Sequence, residues 1–290
     1  AGSVLLRHSS FVVSAMAKSF RTTDDVQLNY LVQGPSEGST LVMVPAFCQP
    51  ASLYVECLQP VAAEGYRCVT IDHRGHGQSQ KPSYGYRLAR MAKDLQEFLE
   101  HLELTGVVLV GHSMGCAVIC QFMELFGQDK ISKLILVDQM AAGVIRPSWT
   151  SEERASYGAG TTGDSLMELV SAVANEELPD PRKEFLSTMF TDKYPPEAKA
   201  AALNAACEVP RTAGALLVLN TMTADFRDVL PRIRVPTLCI GGDESYLKDC
   251  MPWMAGQIPN SKLLMVEGGS HFMLVEDPKL FAQNVLSFIQ

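Results

Sequence analysis

Gly111-His112-Ser113-Met114-Gly115 lies between an apolar run, Val107 to Val110, and a helical pattern that runs from Ser113 to Phe126. A serine between two glycines at a strand-to-helix turn is placed to act as a nucleophile. The turn is tight, and Gly111 and Gly115 leave room for neighbouring backbone to approach. The following helix points its dipole and free N–H groups at the reaction centre. The Met114 N–H is then one donor to a developing oxyanion. A small serine in an ordinary loop is the plain alternative, and the strand–turn–helix context argues against it.

A serine hydroxyl needs a base. The chain has six histidines. His8 lies near the start, His101 on a helix, and His73 and His76 in the Arg74-Gly75-His76-Gly77 turn. His112 precedes the serine, so its side chain is expected to point elsewhere. His271 differs, because it follows the last predicted strand in the glycine-rich loop Glu267-Gly268-Gly269-Ser270-His271. Serine first and histidine later is the chain order that a strand-end nucleophile of this kind requires.

These residues need a scaffold, and periodicity predicts one. Leu28 to Val32, Thr40 to Val44, Arg67 to Asp72, Val107 to Val110 and Lys133 to Asp138 read as strands. Helical patterns at Ala51 to Glu64, Arg87 to Leu104 and Ser113 to Phe126 separate most of them. Apolar residues at Leu88, Met91, Leu95, Phe98, Leu99 and Leu102 give the second of these a clear face. Strands alternating with helices of this length imply a mostly parallel sheet with helices on both faces. From about Met140 to Leu230 no strand is legible, and the stretch reads as an insertion of short helices. The alternation resumes with strand Thr237 to Gly241, a helix around Tyr246 to Gln257, strand Lys262 to Val266 and helix Pro278 to Ile289.

The bulk composition narrows the classes. A chain of 290 residues, 47% hydrophobic, is enough for one full core with an insertion. A net charge of −8 disfavours nucleic acid and anionic membrane surfaces as partners. No apolar run reaches the roughly 20 residues that cross a bilayer. The eight cysteines form no CxxC pair and no zinc-ligand cluster, and several sit in apolar runs. They read as small buried hydrophobes in a reducing, cytoplasmic setting. Residues 1–15 are Ser-rich and contain no acid, and Met16-Ala17-Lys18 looks like a natural start. The segment is expected to be a tail or a transit remnant, the latter implying organellar import.

Taken together these features resemble the α/β-hydrolase superfamily, near its cofactor-free haloperoxidase-like and esterase branch. The resemblance spans about Val26 to Gln290. It rests on Gly111-His-Ser-Met-Gly115, on Asp72-His-Arg-Gly-His-Gly-Gln-Ser79 after an early strand, and on Gly269-Ser-His-Phe272 followed by Glu276-Asp-Pro278 and Phe281. It implies a division into an α/β core, 16–139 with 231–290, and a helical cap, 140–230. In many relatives the strand ending here at Val44 is followed by His-Gly-x, whereas this chain has Pro45-Ala46-Phe47-Cys48. The second oxyanion donor falls by position on the Phe47 N–H, and a proline there stiffens the loop. Relatives commonly place an Asp nine residues after the proline opening Pro236-Thr-Leu-Cys-Ile, and residue 245 is serine. The acid then falls to Asp138, the other strand end used in the superfamily, with Asp243 as alternative and Glu244 third.

The reaction this implies is acyl transfer without a metal or organic cofactor on a small-molecule substrate. Ser113 attacks a carbonyl, His271 takes its proton, and the acid holds the imidazole tautomer. A serine nucleophile argues against dehalogenase and epoxide-hydrolase chemistry, which use Asp in this superfamily. Esters, thioesters, lactones and carbon–carbon bonds remain as targets. Leu166, Met167, Leu169, Val170, Leu216 and Leu217 in the insertion predict an apolar group of small to medium size. Two other classes use the same residues: a ligand-binding receptor with little turnover, suggested by Pro45-Ala46 and Ser245, and a lyase that forms no acyl-enzyme.

Overall fold

The computed structural model describes residues 15–290. The expectation for the initial tail therefore lies outside the described residues, apart from Ala15. Eight strands form one sheet: β1 (Met16–Arg21), β2 (Gln27–Gln33), β3 (Thr40–Val44), β4 (Arg67–Ile71), β5 (Val107–His112), β6 (Ile131–Val137), β7 (Thr237–Gly242) and β8 (Ser261–Val266). Their spatial order is β1-β2-β4-β3-β5-β6-β7-β8. β2 runs antiparallel to β1 and β4, and all other pairs are parallel.

The central strands β3 and β5 are buried at every position and mostly apolar, because both faces of the sheet are covered. Val42, Val44, Leu109, Leu134 and Leu136 pack on one face, with α2 (Leu88–His101) and α3 (Met114–Phe126). The alternate residues Leu41, Met43, Val108, Val110, Ile135 and Val137 pack on the other, with α1 (Val55–Ala63) and α11 (Pro278–Ile289). The strict period of two along each strand makes this division.

Between β6 and β7 the chain forms five α-helices, α4 (Ser151–Tyr157), α5 (Gly163–Ala174), α6 (Pro181–Ser187), α7 (Pro196–Cys207) and α8 (Arg211–Thr223), and a short 3-10 turn at Leu230–Arg232. Local signals start and stop them. Thr150 and Glu153 form a capping box on α4, and Gly158 ends it at φ 72°. Thr162 and Asp180 cap α5 and α6 through their side chains.

Three local expectations change. β1 was not legible, because only Phe20 of its six residues is buried and an exposed edge strand shows no alternation. The helix expected from Tyr246 starts later, as α9 (Cys250–Gln257). Ser245 Oγ accepts the Leu247 N–H at 3.1 Å and holds a turn there instead. A short α10 (Met273–Glu276) follows the His271 loop and was not anticipated. No helix among the described residues is long and apolar enough to cross a membrane. The cysteines among them are all free, and Cys207 is the one that is not fully buried.

Candidate active site

The carboxyl ends of β3, β5, β6, β7 and β8 converge at one edge of the sheet, where parallel α/β sheets place their ligands. The register brings them level: Val44 pairs with Gly111, His112 with Val137, and Val137 with Ile240.

At the end of β5, Ser113 has φ 51° and ψ −123°, a conformation L-residues rarely adopt. Its N–H donates to the Val137 carbonyl at 2.9 Å, and its carbonyl accepts from the Cys116 N–H at 2.7 Å. These bonds hold a backbone that costs of order 1–3 kcal/mol. The glycines are steric requirements. A Cβ on Gly115 would collide with the Val44 carbonyl, and one on Gly111 would lie 2.7 Å from the Cys116 nitrogen.

His271 is 2% exposed, and its Nδ1 lies 2.6 Å from Asp138 Oδ2. A carboxylate only accepts, so Nδ1 carries the proton and Nε2 is the basic nitrogen of the neutral ring. Asp138 ends β6 at φ 47° and is fully buried. Ser245 Oγ also donates to its Oδ2, at 2.5 Å, so a buried charge is met by hydrogen bonds. Asp243 and Glu244 are exposed, and Asp243 Oδ1 accepts the Gly268 N–H at 2.7 Å. Ser245, at the position where the family resemblance led us to expect an acid, is thus a hydrogen-bond donor to a carboxyl one strand away. Pairing across sequence distance is invisible to spacing, which is why the sequence left these residues as alternatives.

Two histidines of the turn after β4 brace the loop after β3. His73 Nε2 donates to the Pro45 carbonyl at 3.2 Å. His76 Nδ1 donates to the Arg74 carbonyl at 2.9 Å, leaving Nε2 to accept the Cys48 N–H at 3.1 Å. Burial drives both rings to the neutral form, lowering His73 to about 3 and His76 to about 4. The Ala46 N–H is taken by the Tyr54 hydroxyl at 2.9 Å. Among the described residues the Phe47 N–H has no acceptor, and nor does the Met114 N–H at the first turn of α3. Both residues line the same cavity as Ser113 and His271. Cys48 is fully buried behind the loop, with Arg182 Nη1 at 3.6 Å from its Sγ, and does not line that cavity.

The cavity measures about 330 Å³ and its lining is mostly apolar. One side is Ala46, Phe47, Ser113, Met114, His271 and Phe272; the other comes from the inserted segment, including Leu166, Leu169, Leu186, Met189 and Val218. Of the apolar residues singled out from sequence, Leu166 and Leu169 line it, whereas Met167 and Leu216 are exposed. Val170 and Leu217 pack into the core instead. Val218 and Met222 on α8 were missed, since helical periodicity does not tell a core face from a pocket face, and Met189, in the turn after α6, carries no periodic signal. Tyr246 was missed as well; it lies at the rim, its ring 5.4 Å from that of His271. No hydrogen bond joins Ser113 Oγ to His271 among the described residues.

A family model of the alpha/beta hydrolase fold matches residues 39–278. The chain belongs to that family. Within it, the relatives fall in the haloperoxidase-like and esterase branch. A putative non-heme chloroperoxidase of Synechocystis is 28% identical over 81% of this chain and 85% of its own length. A bromoperoxidase from Bacillus anthracis superposes with a TM-score of 0.85 at 23% identity, covering 94% of this chain and 99% of that one. An esterase from Exiguobacterium antarcticum gives the same TM-score and coverage at 24% identity.

Proposed function

We propose that this α/β hydrolase is a serine hydrolase that cleaves a carboxylic ester, thioester or lactone of a small to medium apolar substrate through an acyl-enzyme on Ser113. The observation that carries the reading is the buried Asp138–His271 pair, 2.6 Å apart, with the imidazole opening on the cavity that also holds the strained Ser113. In this reading His271 Nε2 removes the Ser113 proton as Oγ bonds to the carbonyl carbon. The Phe47 and Met114 N–H groups hold the oxyanion, each contributing about 3 kcal/mol. His271 then passes its proton to the leaving alcohol, thiol or ring oxygen, and the acyl group stays on Ser113. Water repeats the sequence and frees the acid. Asp138 holds the tautomer and stabilises the imidazolium.

The division of labour follows the chain: residues 16–139 and 231–290 supply the chemistry, and 140–230 acts as a cap that shapes the substrate site. The low polar content of the cavity supports an apolar acyl or alcohol group. The test is hydrolysis of a short-chain p-nitrophenyl ester by wild type and by S113A, with fluorophosphonate labelling in parallel. Turnover and a covalent adduct, both lost in S113A, are expected. Equal background hydrolysis by both proteins would leave a binding protein. Serine-dependent turnover with no adduct would point to a lyase.

A further inference from the structure

His112 and Tyr54 are fully buried, lie behind the reacting groups, and have no role in the steps above. The two are linked. Tyr54 Oη lies 2.9 Å from the Ala46 nitrogen and 2.9 Å from His112 Nδ1. His112 Nε2 lies 2.8 Å from the main-chain oxygen of His271. The direction of every bond is determined. A carbonyl oxygen only accepts, so His112 Nε2 carries a proton and Nδ1 of the neutral ring is an acceptor. Tyr54 must then donate to Nδ1, and its lone pair takes the Ala46 N–H. Burial supports the neutral ring, holding the His112 pKa well below the ordinary histidine value. The ring also packs against those of His271 and Phe272, at 5.0 and 5.3 Å between centroids.

We propose that Tyr54 and His112 are positioning residues that tie the loop carrying the Phe47 N–H to the backbone of the base, so that oxyanion donor and base are set as one unit. Ala46 precedes Phe47, so fixing the Ala46 N–H fixes the peptide plane next to the donor. The His271 carbonyl is fixed at the other end, 159 residues from the imidazole that holds it. The inference rests on the acyl-transfer reading, which gives the two ends their roles. The wiring itself is a property of the ground state.

The test is a double-mutant cycle between Y54F and H112L, with H112Q as the conservative variant, since a glutamine amide can still donate towards the His271 carbonyl. Y54F is expected to lower kcat by roughly 10- to 100-fold with KM within about twofold, as a misplaced donor costs rate rather than binding. H112Q should retain more activity than H112L. The double variant Y54F/H112L should be little worse than the worse single, because cutting one chain twice costs little more than cutting it once. Losses that multiply independently, or that fall on KM, would overturn the proposal. So would variants whose melting temperature drops while the folded protein keeps full kcat.

A second readout needs no turnover. In 15N-labelled wild type, His112 should show one protonated Nε2 with slow proton exchange, and Y54F should shift its Nδ1 resonance. A doubly protonated or Nδ1-protonated ring would refute the wiring. If the wild type fails to hydrolyse any ester while this signal is present, the acyl-transfer reading falls and the link between the loops stands.

Discussion

The two walls of the cavity are built differently. On the sheet side many polar groups around Ser113 and His271 are committed: Pro45, Ala46 and Cys48 by their backbones, Asp138 by His271, Ser245 and the Gly242 N–H, His271 at both its ring and its carbonyl. On the inserted side the lining is mainly apolar side chains on and between short helices, with one buried cation behind them. That cation is Arg182, bonding Asp180, the Val209 carbonyl and Cys48. Hydrogen bonds are directional and fix atoms to fractions of an ångström, whereas apolar contacts fix volume. On the proposed reading, the first wall carries the chemistry and the second sets substrate shape. Disturbing each wall should therefore move different constants.

The largest expected effect is on the sheet side. D138N should lower kcat by about 10⁴-fold by holding the wrong histidine tautomer, while D243N, an exposed group bonded to a loop N–H, should stay within about threefold. Steady-state kinetics on a p-nitrophenyl ester compare them directly. Equal small losses would remove Asp138 from the proposed triad.

Packing at the elbow comes next. G115A forces a methyl group into the Val44 carbonyl, and should destabilise the fold by about 3 kcal/mol, measured as a lower urea midpoint. The same substitution at Gly160, where an added Cβ meets nothing within 4 Å, should leave the midpoint nearly unchanged.

The braced loop also predicts a pH dependence. His73 and His76 are neutral when folded, with pKa values lowered to about 3 and about 4, chiefly by burial. Both titrate near 6.5 when the chain unfolds. Between these values the unfolded chain binds more protons, so stability falls as pH drops from about 6.5 towards 4. Urea midpoints at pH 7, 5.5 and 4.5 should fall in that order, and H76Q should flatten the slope. A flat wild-type profile would show that the rings are not held neutral.

The smallest effect belongs to the apolar wall. V218A and L169A enlarge the cavity and should shift kcat/KM towards longer acyl chains by about fourfold per methylene, with kcat on the best substrate little changed. A large kcat loss in either would show that the inserted helices also position the chemistry.

Much of this was legible in the chain. The elbow is written locally, because a strained strand-to-helix turn demands glycines at fixed offsets from Ser113. His271 stood out by its place after the last strand, and the structure brings it to the cavity that Ser113 lines. β3 and α11 match the expected spans residue for residue, since buried runs and amphipathic periods carry their own signal. β1 was hidden because an exposed edge needs no pattern.

What the sequence determined, then, was what short-range sterics and periodicity encode: the fold class, the turn at Ser113, the insertion between two blocks of alternating strands and helices. Only the tertiary structure decided which carboxylate meets the imidazole, that Ser245 serves that carboxylate, and that His112 reaches the carbonyl of His271. Those pairings join residues 100 or more positions apart across parallel strands. Such partners are chosen by register and burial in three dimensions, and neither leaves a fixed spacing along the chain.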